Sequence, residues 1–108
     1  MKRILFVCTA NVDRSPTAEG LLRDREGFDV RSAGTWTCAV NKVTPELLGW
    51  ADIIFVMEKN HKDQLVALSP EAADKTIVLD VPDVYRRDEP ELVNLLRGRL
   101  AQILGIRW

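Results

Sequence analysis

Four short apolar runs alternate along this chain with proline-marked helix starts, and that alternation restricts the fold more than any other feature. The runs are Lys2–Cys8, Phe28–Ala33, Ile53–Met57 and Lys75–Val81. Each is rich in Ile, Leu, Phe or Val and too short to be a buried helix, so each reads as a strand. Between them, Ser15-Pro16-Thr17, Thr44-Pro45-Glu46, Ser69-Pro70-Glu71 and Asp88-Glu89-Pro90 carry helix-start chemistry: a capping side chain, then proline in the first turn. The first helix, with Ser15 as its expected N-cap, runs to about Glu26 and stops at Gly27. Residues 35–43 read as a loop, the second helix ends near Trp50, and Asn60–Ala67 reads as a third. The last has a broad apolar face of Leu92, Val93, Leu95, Leu96, Leu100, Ile103 and Leu104. Strands alternating with helices imply a parallel sheet covered on both faces, a three-layer α/β sandwich with right-handed crossovers. The 108 residues suffice for one domain, 1–108. In such sheets ligands bind beyond the carboxyl ends of the strands.

Composition removes several function classes. Lys+Arg 15 against Asp+Glu 16 leaves a formal charge of −1, so no global field recruits nucleic acid or an anionic membrane. No apolar run approaches the ~20 residues of a bilayer span. Met1-Lys2-Arg3 followed by an apolar run imitates a signal peptide, but Asn11, Asp13 and Arg14 follow too soon. Two cysteines, Cys8 and Cys38, make no disulfide framework, and a reducing cytoplasm is the expected compartment.

The loop after the first strand reads Cys8-Thr9-Ala10-Asn11-Val12-Asp13-Arg14-Ser15. A cysteine alone at a strand end is usually a small core residue. Its neighbours change that reading. A short loop can wrap the backbone N–H groups of Thr9, Ala10, Asn11, Val12 and Asp13 around one tetrahedral anion. The following helix points its positive end at the same spot. Arg14 offers a planar fork for two phosphate oxygens. These groups together favour a nucleophilic thiolate at Cys8, and Ser15 can donate its hydroxyl to the sulfur. In such a nest side chains point outward, so Asp13 need not touch the anion. Its charge should still oppose the thiolate and weaken dianion binding.

This C-x5-R-S loop, placed directly after the first strand, resembles that of the low-molecular-weight protein tyrosine phosphatase family. The likeness continues through Pro16–Glu19, Ser32-Ala33-Gly34-Thr35, the Trp50–Glu58 block and Val81-Pro82-Asp83. The resemblance implies a four-stranded parallel sheet in order 2-1-3-4. It implies a cysteine-dependent phosphomonoesterase: Cys8 attacks phosphorus to form a cysteinyl-phosphate, Arg14 and the loop amides hold the oxygens, and Asp83 is the general acid. Asn11, Ser15, Glu19 and Ser32 would brace the loop. The substrate would be a phosphotyrosine protein or a small aryl phosphate, handled by a monomer without metal or cofactor. The chain departs from the family pattern at Asp13, where most members carry a second cysteine, and at Ala10, usually glycine. Asp83-Val84-Tyr85-Arg86 replaces Asp-Pro-Tyr-Tyr, and the stretch between Gly34 and Thr44 is much shorter than usual.

Several residues carry secondary expectations. Asp80 is the fallback acid, although a place within the fourth strand would turn it to a sheet face. Trp36 and Tyr85, in loops at the active edge, could wall a flat substrate, whereas Trp50 is as readily a packing residue. Cys38 lies at the same edge as Cys8 and could shield it as a disulfide. His61 has no partner at ligand spacing, so zinc is improbable and a solvated helix surface is expected. Arg86, Arg87, Arg97, Arg99 and Arg107 read as a solvated basic face. Two rival functions stand beside the phosphatase: a thiol-based arsenate reductase, which would need more cysteines, and a non-catalytic phosphate-binding module, which would not need Asp83.

Overall fold

Apolar residues on both sides of every strand can be buried only by helices on both faces of the sheet. The computed structural model describes residues 1–108. Strands β1 (Lys2–Cys8), β2 (Phe28–Gly34), β3 (Ile53–Val56) and β4 (Thr76–Val78) form one parallel sheet in the order β2-β1-β3-β4. Alternate side chains of β1 face opposite layers. Ile4, Phe6 and Cys8 enter a core completed by α1 (Arg14–Leu22) and α4 (Pro90–Leu104), where Phe6 stacks on Phe55 at 5.5 Å. Leu5 and Val7 enter the other core, closed by α2 (Pro45–Trp50), α3 (Lys59–Leu68) and a 3-10 turn over Pro70–Lys75. Register sets Cys8 beside Gly34 and Val7 beside Val56, so the carboxyl ends of the three strands share one edge.

The structure corrects several boundaries. Helix α1 starts at Arg14 with Asp13, not Ser15, in the N-cap position. Ser15 turns inward to the Cys8 sulfur, so its hydroxyl is unavailable for capping. The helix ends at Leu22, and Gly27 makes the following turn at φ +91°. Only Leu92, Leu96 and Leu100 of α4 are fully buried; Ile103 is exposed. Strand β4 stops at Val78. Leu79 and Val81 still donate to Val56 and Met57 carbonyls, while Asp80 between them takes φ +56° and faces solvent. Asp80 is therefore outside the strand. No helix is long and apolar enough to cross a membrane.

Candidate active site

Strand β1 carries Cys8 to the sheet's carboxyl edge, where its Sγ lies 3.0 Å from Ser15 Oγ. The loop to α1 is held from behind. Asn11, in the left-handed region at φ +57°, donates to Ser15 Oγ at 2.8 Å and to Ser32 Oγ at 3.0 Å. Ser32 in turn donates to Glu19, and Asn41 donates to Asn11 Oδ1 at 3.0 Å. The expected bracing set of Asn11, Ser15, Glu19 and Ser32 is thus one connected network, with Asn41 added. Asn11 Nδ2 occupies a lone pair of Ser15 Oγ, and the Ser15 proton can go to the sulfur at 3.0 Å or to the Ala33 carbonyl at the longer 3.4 Å.

The short segment after β2 lies across the loop like a strap. Thr35, Trp36 and Val40 donate their amides to the carbonyls of Cys8, Thr9 and Ala10 at 3.0, 2.9 and 3.1 Å. A trans peptide points its N–H opposite its C=O, so the next three amides, of Thr9, Ala10 and Asn11, face the concave side. Residues 9–13 donate no backbone hydrogen bond within the protein, which leaves their amides for an anion. This close approach needs Gly34. A Cβ there would lie 2.4 Å from the Thr9 carbonyl oxygen and 2.7 Å from Ala39 Cβ.

Arg14 is the largest fully buried side chain. Its Nη1 donates to Glu58 Oε1 at 2.5 Å and to the Val81 carbonyl at 2.8 Å. Its Nε lies 3.8 Å from Asp83 Oδ1. The guanidinium is therefore set against the loop by groups after β3 and β4. Asp83 itself is largely exposed. Its loop is tied down by two amides: Arg87 N–H donates to Asp13 Oδ1 at 2.8 Å, and Asp88 N–H to Thr17 Oγ1 at 2.9 Å. Asp13 does point its side chain outward, and there it serves as an anchor.

Cys8, Thr9, Ala10, Val12, Asp13, Arg14, Trp36 and Asp83 line one open cavity of about 240 Å³. It unites the predicted nucleophile, arginine, acid and one predicted wall residue. Tyr85 does not join it, because its ring packs against the core between the sheet and α4. Trp50 lies away from it, under the Arg31 guanidinium at 4.3 Å. A larger cavity of about 640 Å³, lined by Glu19, Arg31, Lys42 and Trp50 among others, backs onto the bracing network and lacks Cys8. Cys38 is free and exposed. Arg97 is not simply solvated: it and Arg25 lie over the Trp108 ring at 5.7 and 5.3 Å. No group of three or more His, Cys, Asp or Glu residues is placed to hold a metal ion.

Besides Asn41, two residues of the site escaped the sequence reading. Glu58, which clamps Arg14, is also the N-cap of α3. His61 is not on a solvated surface; it is fully buried. Its Nδ1 accepts the Glu58 N–H at 3.0 Å and its Nε2 bonds Thr9 Oγ1 at 2.9 Å. Burial, then the nearby Arg14 charge, push its pKa from 6.5 down to about 4, against the opposing pull of Glu58 and Asp83. The visible signal was Glu58-x-x-His61 at capping-box spacing, directly after a strand.

Known proteins are similar to this chain in sequence and fold. The family model described as low molecular weight phosphotyrosine protein phosphatase matches residues 3–50. A protein-arginine-phosphatase of Geobacillus stearothermophilus is 32% identical, with 94% of this chain and 95% of the relative covered. That alignment spans 142 positions, more than the 108 residues of this chain, so the relative carries segments absent from it. The low molecular weight protein-tyrosine-phosphatase Etp of Escherichia coli K12 is 32% identical over 80% of this chain and 79% of its own length. The structure of the tyrosine phosphatase Wzb from Escherichia coli K30, in complex with phosphate, superposes with a TM-score of 0.79 at 27% identity, covering 94% of each chain.

Proposed function

The chain belongs to the low molecular weight phosphotyrosine protein phosphatase family, and from that premise we propose that it hydrolyses phosphotyrosine or a similar aryl phosphate through a cysteinyl-phosphate. One observation carries the reading: Cys8, Arg14 and Asp83, distant in sequence, line a single cavity with the free loop amides. The Cys8 thiolate attacks phosphorus while the bond to the phenolic oxygen breaks. Asp83, in its acid form, gives that oxygen a proton. Water then attacks phosphorus, returns a proton to Asp83, and displaces the thiolate, releasing phosphate. Arg14 and the amides hold the equatorial oxygens in both steps, which is most of the catalysis in phosphoryl transfer. Glu58 and the Val81 carbonyl orient the guanidinium beforehand. Ser15 stabilises the sulfur as nucleophile and as leaving group.

Exposed Trp36 and Val12 favour a flat aromatic leaving group. All groups come from one chain and none requires a metal or cofactor, so the reading is of a monomer working in a reducing cytoplasm. A second reading, phosphoarginine hydrolysis, draws on the activity for which the Geobacillus relative is named. The Asp83 carboxylate at the cavity would suit a guanidinium.

The test is hydrolysis of para-nitrophenyl phosphate by wild type, Cys8→Ser and Asp83→Asn. Turnover should vanish in Cys8→Ser and fall by about 10² to 10³ in Asp83→Asn. Full activity of Asp83→Asn would remove Asp83 from its role. An inactive wild type that still binds phosphate would favour the non-catalytic module. Competing phosphotyrosine and phosphoarginine peptides decide the substrate.

A further inference from the structure

His61 is fully buried and contacts the site from behind, yet no step above uses it. Its bonds define its chemical state. An amide N–H can only donate, so Nδ1, which receives the Glu58 N–H, carries no proton. The ring is neutral, and Nε2–H donates to Thr9 Oγ1. One imidazole thus joins two parts of the site, and the Thr9 bond alone closes a separation of 52 residues. On one side is Thr9, next to Cys8 and on the cavity wall. On the other is Glu58, whose carboxylate holds Arg14 and whose backbone is held by His61. A helix cap alone would need only the Nδ1 bond. The second bond, into the anion loop, does nothing for α3.

We propose that His61 is a positioning residue for the phosphatase reaction, its neutral imidazole fixing Thr9 of the anion loop to the Glu58–Arg14 clamp. The distance from cradle to guanidinium then depends on His61, and small displacements there are costly in the transition state. The inference rests on the phosphatase reading, because its first readout is turnover.

The two bonds can be separated. In His61→Asn the amide lies where Nδ1 was, so the Glu58 bond survives and the Thr9 bond is lost. In His61→Gln the longer side chain reaches Thr9 and leaves the Glu58 amide unpaired. With para-nitrophenyl phosphate, His61→Asn should lower kcat about tenfold, change KM less than about twofold, and keep Tm near wild type. Thr9→Val should give a similar fall, and the double variant His61→Asn/Thr9→Val should be no worse than either. His61→Gln should recover most of kcat while lowering Tm. Unchanged kcat in His61→Asn, losses that multiply in the double variant, or kcat that follows Tm in every variant would each overturn the proposal. Failure of wild-type turnover would instead overturn the phosphatase reading. Vanadate binding, read by fluorescence of Trp36 in the cavity, then tests the same variants: tighter binding in wild type than in His61→Asn supports the positioning role, and equal binding overturns it.

Discussion

Asp13 Oδ1 accepts the backbone N–H of Arg87 at 2.8 Å, joining the anion loop to the segment that carries Asp83. Asn at position 13 keeps this acceptor and loses the charge; Ala loses both. Asp13→Asn should therefore be inhibited by phosphate more strongly, by about threefold, as removal of a neighbouring like charge requires. Asp13→Ala should also release the acid segment and lower kcat about tenfold. Equal phosphate inhibition constants for wild type and Asp13→Asn would contradict the electrostatic part.

Ser15 Oγ sits 3.0 Å from the Cys8 sulfur, with its other lone pair engaged by Asn11. A hydrogen bond to a charged group is worth about 1.5–3 kcal/mol, so Ser15→Ala should slow both kcat and iodoacetamide alkylation at pH 6.5 by about tenfold or more. Unaltered alkylation would mean that the hydroxyl does not support the thiolate.

Gly34 has the tightest backbone approach of the six glycines. Gly34→Ala should cost about 2–3 kcal/mol through overpacking against the Thr9 carbonyl, lowering Tm by roughly 10 °C. Gly98 in α4 has open space around it, so Gly98→Ala should raise stability by up to about 1 kcal/mol. Calorimetry of the two variants should give opposite signs.

The pKa of His61 is about 4 when folded, against 6.5 ordinarily. The unfolded chain therefore binds the extra proton first as pH falls. The stability from keeping His61 neutral is complete above about pH 6.5 and is lost progressively as pH drops to 4, on the order of 3 kcal/mol in total. His61→Asn cannot titrate. Its Tm should fall less than that of wild type between pH 6.5 and 4; parallel curves would refute the assignment.

Much of the fold was legible locally. Alternating apolar runs set the parallel sheet and its two covered faces, and the prolines near helix starts marked the chain's returns. The order Cys8, loop, Arg14, helix was legible as strand end, loop and helix start because all its parts lie within eight consecutive residues. Roles claimed by competing partners were not legible. Ser15 was expected both to cap α1 and to reach the Cys8 sulfur; only the sulfur contact forms, and the N-cap position falls to Asp13. Tyr85 looked like a cleft residue because nothing local says that the core behind α4 claims its ring.

The sequence by itself determined the layers, from periodicity, and pointed to Cys8 and Arg14 as candidate nucleophile and anion-holding arginine, from their spacing within one short segment; the candidate acid Asp83 rests on the resemblance of Val81-Pro82-Asp83 to the family. Only the tertiary structure decided how Arg14 is aimed. Its partners, Glu58, the Val81 carbonyl and Asp83, lie 44 to 69 residues away and meet it only when β1, β3 and β4 lie side by side. His61 makes the same point: it stands in the polar stretch Lys59-Asn60-His61-Lys62-Asp63-Gln64, which reads as solvated. Its burial comes from the anion loop packed over the start of α3, and burial by a distant segment leaves no mark on local pattern.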